Sequence, residues 1–167
     1  PSLPWVERYS WRLAKKPNMA RLNRLASCLH GELDCTAFAS AKDPNEHRFR
    51  YLHHAAFYTE GGQLVFDVAA NAFLWRMVRS LVGTLIQLDA EDADDGAMAR
   101  VLQSADRSKA GITAPPRGLF LWSVDYYDSP TRRCRYPQVS AIHRDTVSAT
   151  RLVPGIGWLE NSNVKNE

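Results

Sequence analysis

Residues Asn71 to Gly83 read NAFLWRMVRSLVG, and Thr84, Leu85 and Ile86 follow. Across this stretch Phe73, Leu74, Met77, Val78, Leu81, Val82, Leu85 and Ile86 recur every three or four residues, the spacing that lines one side of an α-helix with a wide apolar stripe. Asn71 has a side chain able to cap the first turn. Arg76 and Arg79 lie three apart on the other side of the expected helix, and Trp75, four before Arg79, lies beside that arginine. A guanidinium next to a core is expensive to leave unpaired, so Arg79 needs an acidic or phosphate partner. Periodicity by itself reads it as a solvated or ion-paired residue of an amphipathic helix. Gly83, four after Arg79, removes a side chain and lets another backbone or a ligand come close.

Working outward, two strands precede this helix. Phe49, Tyr51, His53, Ala55 and Phe57 alternate along the first, and Leu64, Phe66 and Val68 along the second, with Thr59-Glu60-Gly61-Gly62 as a hairpin connection between them. Upstream, Pro17 and Asn18 start a helix in which Met19, Leu22, Leu25, Ala26 and Leu29 recur, with Gly31 as its stop. Before that, residues 7–13 (ERYSWRL) alternate and read as a short strand. Downstream, a second helical stretch runs from about Ala93 to Ala105, with Asp94 and Asp95 at its start and Arg107 and Lys109 past its end. The loop Gly111 to Gly118 follows, and Leu119 to Tyr126 (LFLWSVDY) reads as the last strand. The expected fold class is α+β, ferredoxin-like (βαββαβ), an antiparallel sheet with helices on one face and the other face free to bind. Residues 1–127 form the expected domain. Residues 128–167, with recurring prolines and the cluster Arg132, Arg133 and Arg135, read as a partly mobile appendage.

Composition bounds the function classes. With 167 residues, 45% hydrophobic and 23% charged, the chain can build a core, and a net charge of +3 suits a polyanionic partner only mildly. Cys28, Cys35 and Cys134 show no paired spacing and read as reduced thiols of a cytoplasmic protein. No apolar run is long enough for a bilayer and no signal peptide is visible, so no membrane partner is expected. The chain begins at Pro1, consistent with a fragment or a cleavage product. The sequence contains no G-x-S-x-G, Walker loop, G-x-G-x-x-G or H-E-x-x-H. His53 and His54 are adjacent on a strand and point to opposite faces, so they do not share a metal. No metal site is expected.

Several segments, in order, resemble the C-terminal half of the TruA family of tRNA pseudouridine synthases. That family carries a helix of the form N-x-F-[LV]-x-x-M-V-R-x-[LIV]-V-G, matched here by Asn71, Phe73, Leu74, Met77, Val78, Arg79, Leu81, Val82 and Gly83. Leu29 to Phe38 (LHGELDCTAF) is similar to L-x-G-x-[HN]-D-F-x-[SA]-F, with Leu33 and Cys35 as departures. Arg50 sits where the family has an arginine at the start of a strand. Ala114 to Leu119 (APPRGL) resembles A-P-x-x-G-L, with Val124-Asp125-Tyr126 as the closing V-x-Y. The likeness spans Tyr9 to Tyr126. The family's G-R-x-D-x-G-V motif, which supplies the catalytic aspartate, occurs nowhere in the 167 residues.

The resemblance implies part of an enzyme that isomerises uridine to pseudouridine in the anticodon stem-loop of tRNA, inactive alone, without cofactor or metal. In the family an aspartate acts on the ribose, and a fixed arginine keeps it ionised and oriented. Arg79 is the residue that matches. Arg50, Arg76 and Arg117 become candidate phosphate contacts. Trp75 becomes a candidate for stacking on RNA, although core packing is the plainer expectation for it. The family's homodimers, with tRNA lying across both subunits, imply a homodimer here. Two alternatives stand beside this reading. One is a standalone RNA-binding or protein-binding module that reuses the fold. The other is a complete enzyme with a relocated acid, for which the sequence offers no good candidate; turnover by the chain alone would demand one among Asp34, Asp67 and Asp125.

Overall fold

The computed structural model describes residues 8–122 and the backbone of Gly155–Gly157. The first helix, α1 (Met19–Ala26), starts where Pro17 and Asn18 indicate: Asn18 Oδ1 accepts from Arg21 N at 3.1 Å, and Leu22, Leu25 and Ala26 are buried. Strand β1 (Gly31–Asp34) follows, then a single 3₁₀ turn (Thr36–Phe38), strand β2 (Phe49–Glu60) and strand β3 (Gln63–Ala70). The long helix α2 (Met77–Ala90), a shorter helix α3 (Ala97–Ser104) and a second 3₁₀ turn (Arg107–Lys109) complete the contiguous part, and β4 (Gly155–Gly157) adds a last short strand. The four strands pair in chain order, β1-β2-β3-β4, every pair antiparallel.

The fold class is α+β, an antiparallel sheet with helices packed on it. Leu52 and Phe57 of β2 and Leu64, Phe66, Val68 and Ala70 of β3 join Leu22 and Leu25 of α1, Met77, Leu81 and Leu85 of α2, and Met98 of α3 in one buried cluster. The β2–β3 hairpin turns at Gly61 and Gly62, whose φ angles of 56° and 76° suit glycine and the tight turns that match strand twist. A bulge between Leu52 and His54 shifts the alternation of β2.

Several elements differ from the sequence reading. Residues 8–13 form no strand; Tyr9 lies near Phe120, with ring centroids 6.1 Å apart, while Trp11 and Leu13 pack on the core. The first strand is instead Gly31–Asp34, an edge strand whose four residues are all half-buried and so show no alternation. Helix α2 starts at Met77, not after Asn71. Asn71 braces β2 instead: its backbone N–H donates to Tyr51 O at 3.0 Å, and its side-chain oxygen accepts from Tyr51 N at 2.9 Å. The stretch expected from Ala93 to Ala105 is helical only over Ala97–Ser104, because Asp94 spends its carboxylate on Gly96 N and Arg100. Of the expected last strand, Leu119–Trp122 carry only an isolated bridge at Leu121, and residues 123–126 lie outside the described residues. The fourth strand comes from Gly155–Gly157, within the segment expected to be an appendage.

Candidate functional site

The turn ahead of α2 is held from a distant loop. The Asp43 carboxylate accepts from Trp75 N at 2.5 Å, from Asn45 N at 2.9 Å and from Asn45 Nδ2 at 2.7 Å, and Ser40 N donates to Trp75 O at 3.0 Å. Burial pushes the Asp43 carboxyl up, but the donors from Asn45 and Trp75, with Arg48 nearby, outweigh it and hold the group below the usual carboxylate range. This clasp sets the entry to the helix. Arg76, its N-cap residue, sits at φ 61°, in the left-handed region. A side-chain-bearing residue there costs about 1–2 kcal/mol, which the surrounding bonds must offset. Trp75 is 57% exposed, so the expectation that it packs in the core is corrected: the turn presents its indole to solvent.

Arg79 lies in the first turn of α2 and is half-buried. Its Nε donates to Ala114 O at 2.6 Å, and Ala114 N donates back to Arg79 O at 3.0 Å. Among the described residues no carboxylate pairs with it. Burial lowers its pKa first and the neighbouring charge of Arg76 lowers it further, so its positive charge is uncompensated. The loop that carries Ala114 runs close along α2 because Gly83 has no side chain: a Cβ there would overlap the carbonyl oxygen of Ile112. Thr84 completes the strap, accepting from Gly111 N at 2.9 Å while donating to Ser80 O at 2.8 Å. The close approach expected at Gly83 is therefore that of the chain's own backbone.

The other sequence candidates are placed differently. Arg50, on β2 opposite Leu33, is 6% exposed, and its Nη1 donates to His47 O at 3.0 Å and Phe49 O at 2.6 Å. Arg117 is exposed in the turn that Leu119 N closes on Pro116 O at 3.2 Å, three residues beyond Ala114. The structure thus brings Arg76 and Arg79 together beside Trp75, and sets Arg50 apart in the interior. Arg76 also shares a pocket with Lys42 and Arg107, which the sequence reading did not single out as site residues. Lys42 hides in a loop, and Arg107 looks like a helix-end charge.

The acids considered as relocated catalysts are engaged or out of view. Asp34 Oδ1 accepts from Thr36 N at 2.9 Å and Thr36 Oγ1 at 2.5 Å, capping the turn. Asp67 lies 3.3 Å from His54 Nε2, and Asp125 lies outside the described residues. At the departures from the resemblance, Leu33 packs against the core and Cys35 is buried, its thiol pushed up to about 12 by burial. Among the described residues no three His, Cys, Asp or Glu side chains converge as metal ligands, and no helix is long and apolar enough to cross a membrane.

The geometry is thus an arginine at the start of α2, strapped over a glycine to the A-P-P-R-G-L loop and without a carboxylate partner among the described residues. A model of the tRNA pseudouridine synthase family matches residues 25–127, and the chain belongs to that family. It is 52% identical over 118 residues to the tRNA pseudouridine synthase A of Treponema denticola, covering 71% of this chain and 44% of that protein. It is 41% identical over 103 residues to the protein of the same name from Treponema pallidum, covering 62% and 37% of the two chains. With that of Borreliella afzelii it shares 35% identity over 123 residues, covering 74% and 50%. The chain thus spans about half the length, or less, of the curated relatives it matches.

Proposed function

We propose that this chain supplies the arginine wall and part of the RNA-binding surface of a tRNA pseudouridine synthase acting on the anticodon stem-loop, and that it turns over no substrate by itself. The observation that carries the reading is Arg79, fixed by Ala114 O and left without a carboxylate among the described residues. In the reaction the glycosidic bond of uridine breaks, the base turns, a carbon–carbon bond forms to the same ribose, and a proton leaves the base carbon. The target nucleotide must leave its stack to be reached. The catalytic aspartate has to be ionised inside a closed pocket. Arg79 would favour that charged form and hold its orientation, because burial and Arg76 both penalise its own charge until an anion arrives. Trp75 would present an aromatic face to RNA, and Arg76 and Arg117 would meet phosphates.

The aspartate comes, on this reading, from a G-R-x-D segment outside these 167 residues. A cytoplasmic homodimer with tRNA lying across both copies is the assembly we propose. Tritium release from 5-labelled uridine in tRNA tests the reading: the chain alone should release nothing above background, and the chain combined with a polypeptide carrying G-R-x-D should release tritium. The absence of that motif also favours a second reading, a standalone RNA-binding or protein-binding module. Such a module would release no tritium in any combination.

A further inference from the structure

We infer that the pocket between the 40–42 loop, the start of α2 and the Arg107–Thr113 segment is a phosphodiester seat, which grips the RNA backbone next to the nucleotide that meets Arg79. The inference rests on the functional reading above and adds to it a specific subsite. The pocket has a volume of about 310 Å³ and is lined by Ser40, Lys42, Arg76, Ser80, Arg107 and Thr113. That volume is within the range of small-molecule sites and exceeds what one phosphate group fills, leaving room for the ribose atoms on either side of a phosphodiester.

The charges in the lining are all of one sign. Three cations converge from three separate segments, and none of the lining residues is acidic. The Lys42 and Arg76 side chains make no hydrogen bond or ion pair among the described residues. Arg107 is aimed without being neutralised: Nη1 donates to Ala110 O at 3.2 Å and Gly111 O at 3.1 Å, and Nη2 to Thr113 Oγ1 at 2.9 Å. Asp43, the residue after Lys42, turns its carboxylate toward Trp75 N, Asn45 and Arg48. Guanidinium forks and hydroxyls are the donors that suit phosphate oxygens. The pocket also touches the reactive wall, since Ser80 follows Arg79 and Thr113 precedes the Ala114 whose carbonyl holds Arg79. A backbone phosphate gripped here sets the register of the adjoining nucleotide against Arg79.

The test is the binding of a labelled RNA stem-loop to the full chain over a range of salt concentrations. Lys42→Gln and Arg76→Gln should each weaken binding about three- to tenfold and lower the slope of log affinity against log salt by about 1. Lys42→Arg should keep the slope, and so should Arg100→Gln, whose charge Asp94 already meets. Melting of both pocket variants should match the parent, because neither side chain bonds to the fold. RNA binding with unchanged slopes in both variants overturns the seat and leaves the functional reading standing. If the unaltered chain has no RNA affinity, yet inorganic phosphate shifts the Ser80 and Thr113 amide resonances, the pocket is a free-anion site and both readings fall.

Discussion

Two groups of arginines sit at opposite extremes of pairing. Around the turn after α2 three arginines each have an acid: Arg21 pairs with Asp92, Arg24 Nε lies 3.0 Å from Asp95, and Arg100 Nη2 lies 2.5 Å from Asp94. The first two pairs tie α1 to the turn after α2, and Asn18 N donates to Asp89, near the end of α2, at 3.0 Å. Around the start of α2, Arg76, Arg79 and Arg107 crowd together with Lys42 and take only neutral oxygens or nothing from the described residues. The first group is arranged for the fold, since exposed pairs of this kind stabilise little but satisfy each other. The second repels itself, and only an incoming anion relieves that.

The largest effect expected is on the scaffold both groups share. Met77 is fully buried in the core cluster, and Met77→Asp places an unpaired charge there, so the chain should fail to fold cooperatively in a thermal melt followed by circular dichroism. Gly83→Ala should cost about 2–3 kcal/mol in urea unfolding, because the new Cβ overlaps the Ile112 carbonyl. It should also free the strap and weaken RNA binding, leaving the paired group untouched. Arg79→Ala removes a charged hydrogen bond to Ala114 O, a loss of about 1–2 kcal/mol.

Protonation sharpens the comparison further. The Asp43 carboxyl is held low by its donors, so its contribution is present above the ordinary aspartate value and lost as pH falls through the folded value. An acid titration watched at the Trp75 amide should show the clasp opening at low pH. Cys35 has the opposite sign: its thiol is raised to about 12, so its contribution is intact below the ordinary thiol value and is lost as pH rises toward the folded one. At pH near 8 the native chain should leave Cys35 unalkylated by iodoacetamide. The smallest effect expected is that of Arg24→Gln, which should leave the urea midpoint unchanged within error.

The parts legible in the sequence were those set by local chemistry. The stripe from Met77 to Ile86, the Asn18 cap and the Gly61-Gly62 turn each need only neighbours a few residues away. The site was legible only through the family-like helix and loop, which single out Arg79 but not the pocket beside it. The start of α2 was misread because the competing bonds come from far along the chain: Asp43 claims Trp75 N and Asn71 turns to Tyr51. That same long-range clasp exposes Trp75, an aromatic for which core packing is the plainer expectation. Lys42 and Arg107 escaped notice because their meeting depends on the strap over Gly83, a tertiary contact no local pattern encodes.

The most direct test of the division between the two groups is tritium release from 5-labelled uridine in tRNA, with the chain combined with a polypeptide carrying G-R-x-D. The expected result is that Arg79→Ala lowers the rate by at least about a hundredfold, as loss of charge stabilisation at a reacting centre does, while Arg24→Gln leaves it unchanged. Full activity of the Arg79→Ala chain would contradict the assignment of Arg79 to the reacting centre.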